Sequence, residues 1–142
     1  MGNILFPDLK VFDGKYFEVH QDWEVPIPAF FILAPKRRMN SIIDFSYDES
    51  FEFIKILRMV RISLKEIFDL EHVYFFENED SSGGFHFWIF PRWDWMESFG
   101  RKIESVRPIM NYAKKEFVDE QNLEKVREHA LKFKDYLDNK KT

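Results

Sequence analysis

Residues 84–92 read Gly-Phe-His-Phe-Trp-Ile-Phe-Pro-Arg, and this stretch decides the fold. The apolar and aromatic run from Phe85 to Phe90 stops at Pro91. It predicts a strand, because aromatic side chains suit pleated backbone and proline ends a hydrogen-bonded ladder. Successive strand side chains point to opposite faces. Phe85, Phe87 and Ile89 therefore make one stripe suited to a core, while His86 and Trp88 share the other face with Gly84. An imidazole on a face that begins in the glycine-bearing turn Ser81-Ser82-Gly83-Gly84 is a candidate anion site, since backbone amides in such turns form a nest for negative charge.

Working towards the N-terminus, His72 to Phe76 reads as a second buried-type strand, joined to the first by the polar turn Glu77 to Gly84, which suits a hairpin and leaves parallel pairing open. Before it, Ser46 and Glu49 fit a capping box, in which each side chain satisfies an amide at a helix start. A helix of about twenty residues follows, with Ile54, Leu57, Val60 or Arg61, Leu64 and Ile67 as its apolar face. Ala29 to Ala34, bounded by Pro28 and Pro35, suits a strand buried on both faces. Lys36 to Asn40 makes a basic turn, Asp22 to Pro28 a loop, and Gly14 to His20 alternates as a further strand.

Towards the C-terminus, Ser105 is placed to cap a helix with Pro108 in its first turn. Val106, Ile109, Met110, Ala113 and Phe117 give that helix its apolar face, and Leu123, Val126, Ala130, Phe133 and Leu137 give one to a final helix. Asn139 to Thr142 reads as a tail of low order. Strands followed by helices imply an α+β fold: a mostly antiparallel sheet with a long central helix, C-terminal helices, and the helices on one side.

Composition bounds the function. The 142 residues are 45% hydrophobic with 17 Phe and 4 Trp, enough for one domain over residues 1–142, with a core at about 14–93 and a helical extension at about 101–138. No cysteine is present, which removes disulfides, thiol nucleophiles and cysteine-ligated zinc. A net charge of −4 argues against a long nucleic acid as partner but permits a local phosphate site. No stretch approaches the roughly 18 apolar residues of a membrane span. The opening residues lack a basic region and cleavage site, so a cytoplasmic location is expected. His20, His72 and His129 show no metal-ligand spacing, and neither a metal nor another cofactor is expected.

Four segments, in order, resemble the histidine-triad (HIT) superfamily. They are Asp22 with Pro26 to Arg37 (PIPAFFILAPKR), the capped helix, the turn from Asn78 to Gly84, and Gly84 to Arg92, which is similar to the signature of three alternating histidines followed by Pro-Arg. The resemblance implies a HIT-like nucleotide hydrolase or transferase that pairs as a homodimer and takes a small-molecule nucleotide. His86 matches the central histidine, which attacks the α-phosphorus and carries a nucleotidyl-histidine. Asp22 matches the acid that binds the ribose hydroxyls; Asn78, Ser81 and Ser82 fall near phosphate-contacting residues.

The departures are specific. Gly84 and Trp88 stand where the first and third histidines belong, Phe30 where a histidine usually opens the buried strand, and Arg38 where one often follows Pro-Lys-Arg. Tryptophan donates one hydrogen bond and shuttles no proton, so Trp88 is read as a packing or base-stacking wall. Arg37, Arg38 and Arg92 are candidate phosphate contacts, since guanidinium suits phosphoryl oxygens. Three readings follow: an enzyme acting on a nucleotide conjugate such as a dinucleoside polyphosphate (diadenosine tetraphosphate hydrolase-like) through His86, an inactive nucleotide-binding module, and a protein-interaction domain using the Trp-rich segment near Trp93.

Overall fold

Five short strands pair in one sheet: β1 (Lys10–Asp13), β2 (Phe17–Gln21), β3 (Phe31–Pro35), β4 (Val73–Phe76) and β5 (Phe87–Pro91). Their order is β1-β2-β3-β5-β4, with every pairing antiparallel. Three helices accompany them: α1 (Tyr47–Phe68), α2 (Val106–Glu116) and α3 (Glu120–Lys140). The computed structural model describes residues 4–140. β3 lies at the centre, and its apolar residues Phe31 to Ala34 are buried on both faces as the proline-bounded run predicts.

Helices cover both faces of the sheet, not one. On the first face, Phe31, Leu33 and Ile89 join Val60 and Leu64 of α1 and Ala130, Phe133 and Leu137 of α3 in the larger core. The Phe31 and Phe133 rings lie 4.5 Å apart. On the second face, Phe30 and Phe90 pack with Met96 and with Val106, Ile109 and Ala113 of α2. Because β3 is apolar on both sides, water has to be excluded from both. A one-sided arrangement would leave Phe30, Ile32 and Phe90 wet.

Several local expectations change. α1 begins at the Ser46–Glu49 capping box, with both reciprocal bonds formed, but its buried face is Phe53, Ile56, Val60, Ser63 and Leu64. Ile54 faces solvent. β1, unforeseen from its four residues, pairs with β2. β4 is an edge strand rather than a buried one, and Phe75 is 44% exposed. Ser105 makes no side-chain cap; its hydroxyl donates to the Lys102 carbonyl at 2.6 Å. Asn139 and Lys140 belong to α3 instead of a loose tail, and Lys141 and Thr142 lie outside the described residues.

Candidate functional site

Register places the site. His20 of β2 pairs with Ile32 of β3, and Ile32 with Trp88 of β5, so these side chains share one face of the sheet. His86 immediately precedes β5, two residues before Trp88. The alternation ends there. Gly84 has a φ of +91° and leaves strand geometry, so it does not continue the face of His86 and Trp88. A Cβ at this position would sit 3.0 Å from the Met39 carbonyl oxygen, which already accepts the Phe85 amide at 2.8 Å. Both the left-handed backbone and the close approach require glycine.

His86 is half-buried. Its ring lies 5.5 Å from that of Trp23, edge to face, and 5.9 Å from that of Trp88. Burial pulls its pKa below the ordinary histidine value of 6.5; a hydrogen bond with the Gly84 backbone opposes this, and the positive charges of His20 and Arg38 add to it. A neutral imidazole, with a nitrogen lone pair available for attack, is the result at physiological pH.

Trp88 is held from two sides. It stacks on Phe76 at 5.8 Å and 14°, and its indole N–H donates to Asp22 Oδ1 at 3.0 Å. The other Asp22 oxygen accepts the amides of Val25 at 2.8 Å and Glu24 at 3.1 Å. Burial raises the Asp22 pKa, and these hydrogen bonds counter it. Asp22 thus ties the loop Asp22–Val25 to the end of the sheet, and it is only 7% exposed. Gln21 supports the same loop through its side-chain amide, which donates to Ile27 O at 2.9 Å.

Two recesses flank His86 and Trp88. One, of about 180 Å³, is lined by Lys36, Arg37, Arg38, Gly83, Phe85 and His86 among others. The second, of about 270 Å³, is walled by Asp22, Trp23, Phe76 and Trp88, with Asn78, Arg107 and Lys114 also present. The first is cationic beside an imidazole and suits a phosphate; the second is aromatic with polar groups and suits a nucleoside. Larger recesses lie elsewhere, such as one of about 540 Å³ beside Pro26, Trp95 and Phe117. Size alone does not select the site. Larger recesses also place a histidine near cations, His72 with Arg92 and Arg101 in one and His129 with Lys125 in another. Carboxylates line both of these, whereas none lines the recess at His86.

The remaining predicted residues separate. Arg38 is exposed and donates to the Ser82 carbonyl at 3.2 Å. Arg37, its neighbour, is committed to Glu49, with Nε at 2.7 Å and Nη2 at 2.9 Å from the two carboxylate oxygens. Arg92 does not reach His86: it lines a different recess with Glu71, Tyr74 and Glu97 and holds the Gly100 carbonyl at 2.8 Å. The Ser81 hydroxyl closes its own turn on Asn78 O at 2.7 Å, and Ser82 is exposed. Among the described residues no group of three or more His, Cys, Asp or Glu is placed to hold a metal ion, and no helix is long and apolar enough to cross a membrane.

Sequence reasoning missed Trp23, Arg107, Lys114 and His20. His20 Nε2 lies 2.8 Å from Glu18 Oε1, and its ring is 5.9 Å from Trp23. The signal was Glu18-Val19-His20, two titratable residues spaced to share one strand face.

Comparison with known proteins follows the same lines. No family model matches the chain. Among solved structures it superposes on a Hit-like protein from Bartonella henselae (TM-score 0.56, 19% identity, 87% of each chain). It also superposes on a zinc-bound histidine triad family protein from Mycobacterium smegmatis (TM-score 0.57, 12% identity, 92% of this chain and 88% of that one). The chain has the histidine-triad fold. In sequence it is 30% identical over 87 residues to a galactose-1-phosphate uridylyltransferase from Thermotoga maritima, covering 56% of this chain and 27% of that protein. The chain therefore spans about a quarter of the length of the curated relative it matches.

Proposed function

We propose that the protein is a nucleotidyl hydrolase or transferase acting on a nucleotide conjugate, with His86 as nucleophile. The observation that carries this reading is that His86 lines a cationic recess while its ring meets Trp23 and Trp88, which wall an aromatic one. The nucleoside packs along Trp88 and Trp23, near Asn78, and Asp22 serves by fixing Trp88 and the Asp22–Val25 loop. The α-phosphate enters the recess beside Lys36 and Arg38. His86 attacks phosphorus, the bond to the leaving group breaks, and the electron pair departs with that group. Water, or a second phosphate, then displaces the histidine. Arg38 neutralises charge that gathers on the phosphoryl oxygens, where a fixed guanidinium is most effective. The uridylyltransferase named among the relatives supports nucleotidyl transfer as the reaction class; dinucleoside polyphosphates and nucleoside phosphoramidates are the conjugates to offer first.

Turnover of these compounds, followed by chromatography, is expected to vanish in His86→Ala. Normal turnover in that variant would exclude the nucleophile. An inactive nucleotide-binding module is the second reading, favoured by the backbone at Gly84 and the pinned indole of Trp88, neither of which can carry a proton. Nucleotide-induced thermal stabilisation without turnover of any compound would select it. The exposed apolar residues Tyr47, Phe51 and Ile54 at the start of α1, with Ile43 in the turn before it, support self-association, since exposed apolar surface of this kind marks contact sites. A Phe51→Glu variant is then monomeric by light scattering where the parent is a dimer; a monomeric parent would remove this part.

A further inference from the structure

We propose that His20 is the second, proton-carrying histidine of this site and donates to the group that His86 displaces. This rests on the reading of His86 as nucleophile. β5 offers no acid of its own, because Gly84 has no side chain and the single N–H of Trp88 is given to Asp22. The neighbouring strand β2 supplies one. His20 lies on the same face as Trp88. Its Nε2 is held 2.8 Å from Glu18 Oε1, and Glu18 meets Lys10 of β1 at 3.0 Å. A carboxylate on one ring nitrogen fixes the tautomer and the orientation of the ring. The other nitrogen, Nδ1, is buried with no hydrogen-bond partner among the described residues, an arrangement uncommon enough in folded proteins to call for a use. The Trp23 indole contacts both imidazoles, at 5.9 Å for His20 and 5.5 Å for His86. The titratable and charged groups facing His20 are Glu18 on its own strand, Lys10 on β1 and His86 before β5, with Arg38 facing His86.

The step balances without a further reactant. A His86 nitrogen bonds to the α-phosphorus as the bond to the leaving oxygen or nitrogen breaks, and that atom takes the Nδ1 proton of the His20 imidazolium. In the second half, neutral His20 takes a proton from water as its oxygen attacks phosphorus. The P–N bond then breaks and its electron pair returns to His86. Because Nδ1 is screened from solvent, the transfer requires the Trp23 indole to shift as substrate seats.

Leaving groups of different basicity test this. An adenosine 5′-phosphoramidate of a simple alkylamine needs its nitrogen protonated to depart, whereas adenosine 5′-(p-nitrophenyl phosphate) releases a stable anion. In the full chain, His20→Gln is expected to slow first-turnover release of the amine from the phosphoramidate about 100- to 10,000-fold and to change the first-turnover burst of p-nitrophenolate little. Glu18→Gln, which leaves the ring in place but frees its orientation, is expected to slow the phosphoramidate less than His20→Gln does and to leave the burst unchanged. Equal losses on both substrates, no loss on either, or a Glu18→Gln variant that slows the burst as much as the phosphoramidate would overturn the proposal. Mass spectrometry of the quenched p-nitrophenyl reaction separates the two readings. A wild-type chain with no adenylylated His86 overturns the nucleophile and this proposal together. An adduct present alongside equal losses overturns this proposal alone.

Discussion

On one face of β5, Phe87 and Ile89 meet α1 and α3 in a core of aliphatic and aromatic side chains. On the other, His86 and Trp88 meet Trp23, Phe76 and a buried aspartate, with open recesses on either side. The two faces come from alternate residues of one short segment, yet they answer to different physics. The first is held by excluded water and close packing, so its residues matter by volume. The second is held by a few directed bonds, Asp22 to Trp88 foremost, so its residues matter by which atoms they leave free. A strand can therefore anchor the fold and present a reactive group at once.

Breaking the packed face has the largest expected effect on stability. Phe133→Ala removes a ring buried against Phe31 and is expected to cost about 3–5 kcal/mol, read as a fall in the denaturant midpoint. A loss below about 1 kcal/mol would mean that α3 is not an essential layer of that core. Next come the two adjacent arginines. Arg37→Ala strands the Glu49 carboxylate, which is 4% exposed, and should lower the denaturant midpoint; Arg38→Ala should leave stability within about 0.5 kcal/mol while weakening phosphate binding. Similar losses of stability in the two variants would contradict the division of labour between them.

The same pair sets a pH dependence. Hydrogen bonds from Arg37, with those at Ser46, hold the Glu49 carboxyl down to about 2 from an ordinary 4.5. A depressed folded-state pKa gives stability that is complete above the unfolded value and is lost as the pH falls through the folded one. Acid melting of the parent chain should therefore steepen as the pH drops from 4.5 towards about 2. Glu49→Gln should flatten that part of the curve, and an unchanged acid profile would remove Glu49 as its source. On the open face, His86→Ala is expected to change stability least, within about 0.5 kcal/mol, while abolishing turnover. A large loss of stability there would make His86 a structural residue.

How much of this was legible in the sequence follows from the same contrast. β3 and β5 were legible because unbroken apolar runs ending at prolines leave few other readings, and the start of α1 because Ser46 and Glu49 form a local, self-contained signal. Of the face expected for α1, Val60 and Leu64 are buried and Leu57 and Ile67 pack beside them, but Ile54 is exposed while Phe53 and Ile56 are buried. Tyr47 and Phe51 are apolar and exposed too, so periodicity blurred the first turns. β1 escaped because its four residues become a strand only through pairing with β2. For the site, His86 stood out within its strand, whereas Arg37 and Arg38 are indistinguishable in sequence. Only the fold reveals that one guanidinium meets Glu49 and the other borders His86. The pairing of His20 with Trp23 and Glu18 likewise depends on contacts that spacing alone only hints at.

The turn at Gly84 has a consequence for redesign as well as for chemistry. A histidine placed there meets a left-handed backbone and the Met39 carbonyl 3.0 Å from its Cβ, a strain of about 1–3 kcal/mol. Placing any side chain at this position thus requires the turn to be rebuilt before, or together with, the substitution. The Met39 carbonyl and the Gly84 backbone therefore behave as one unit, and the loop beside His86 can be varied only as a whole.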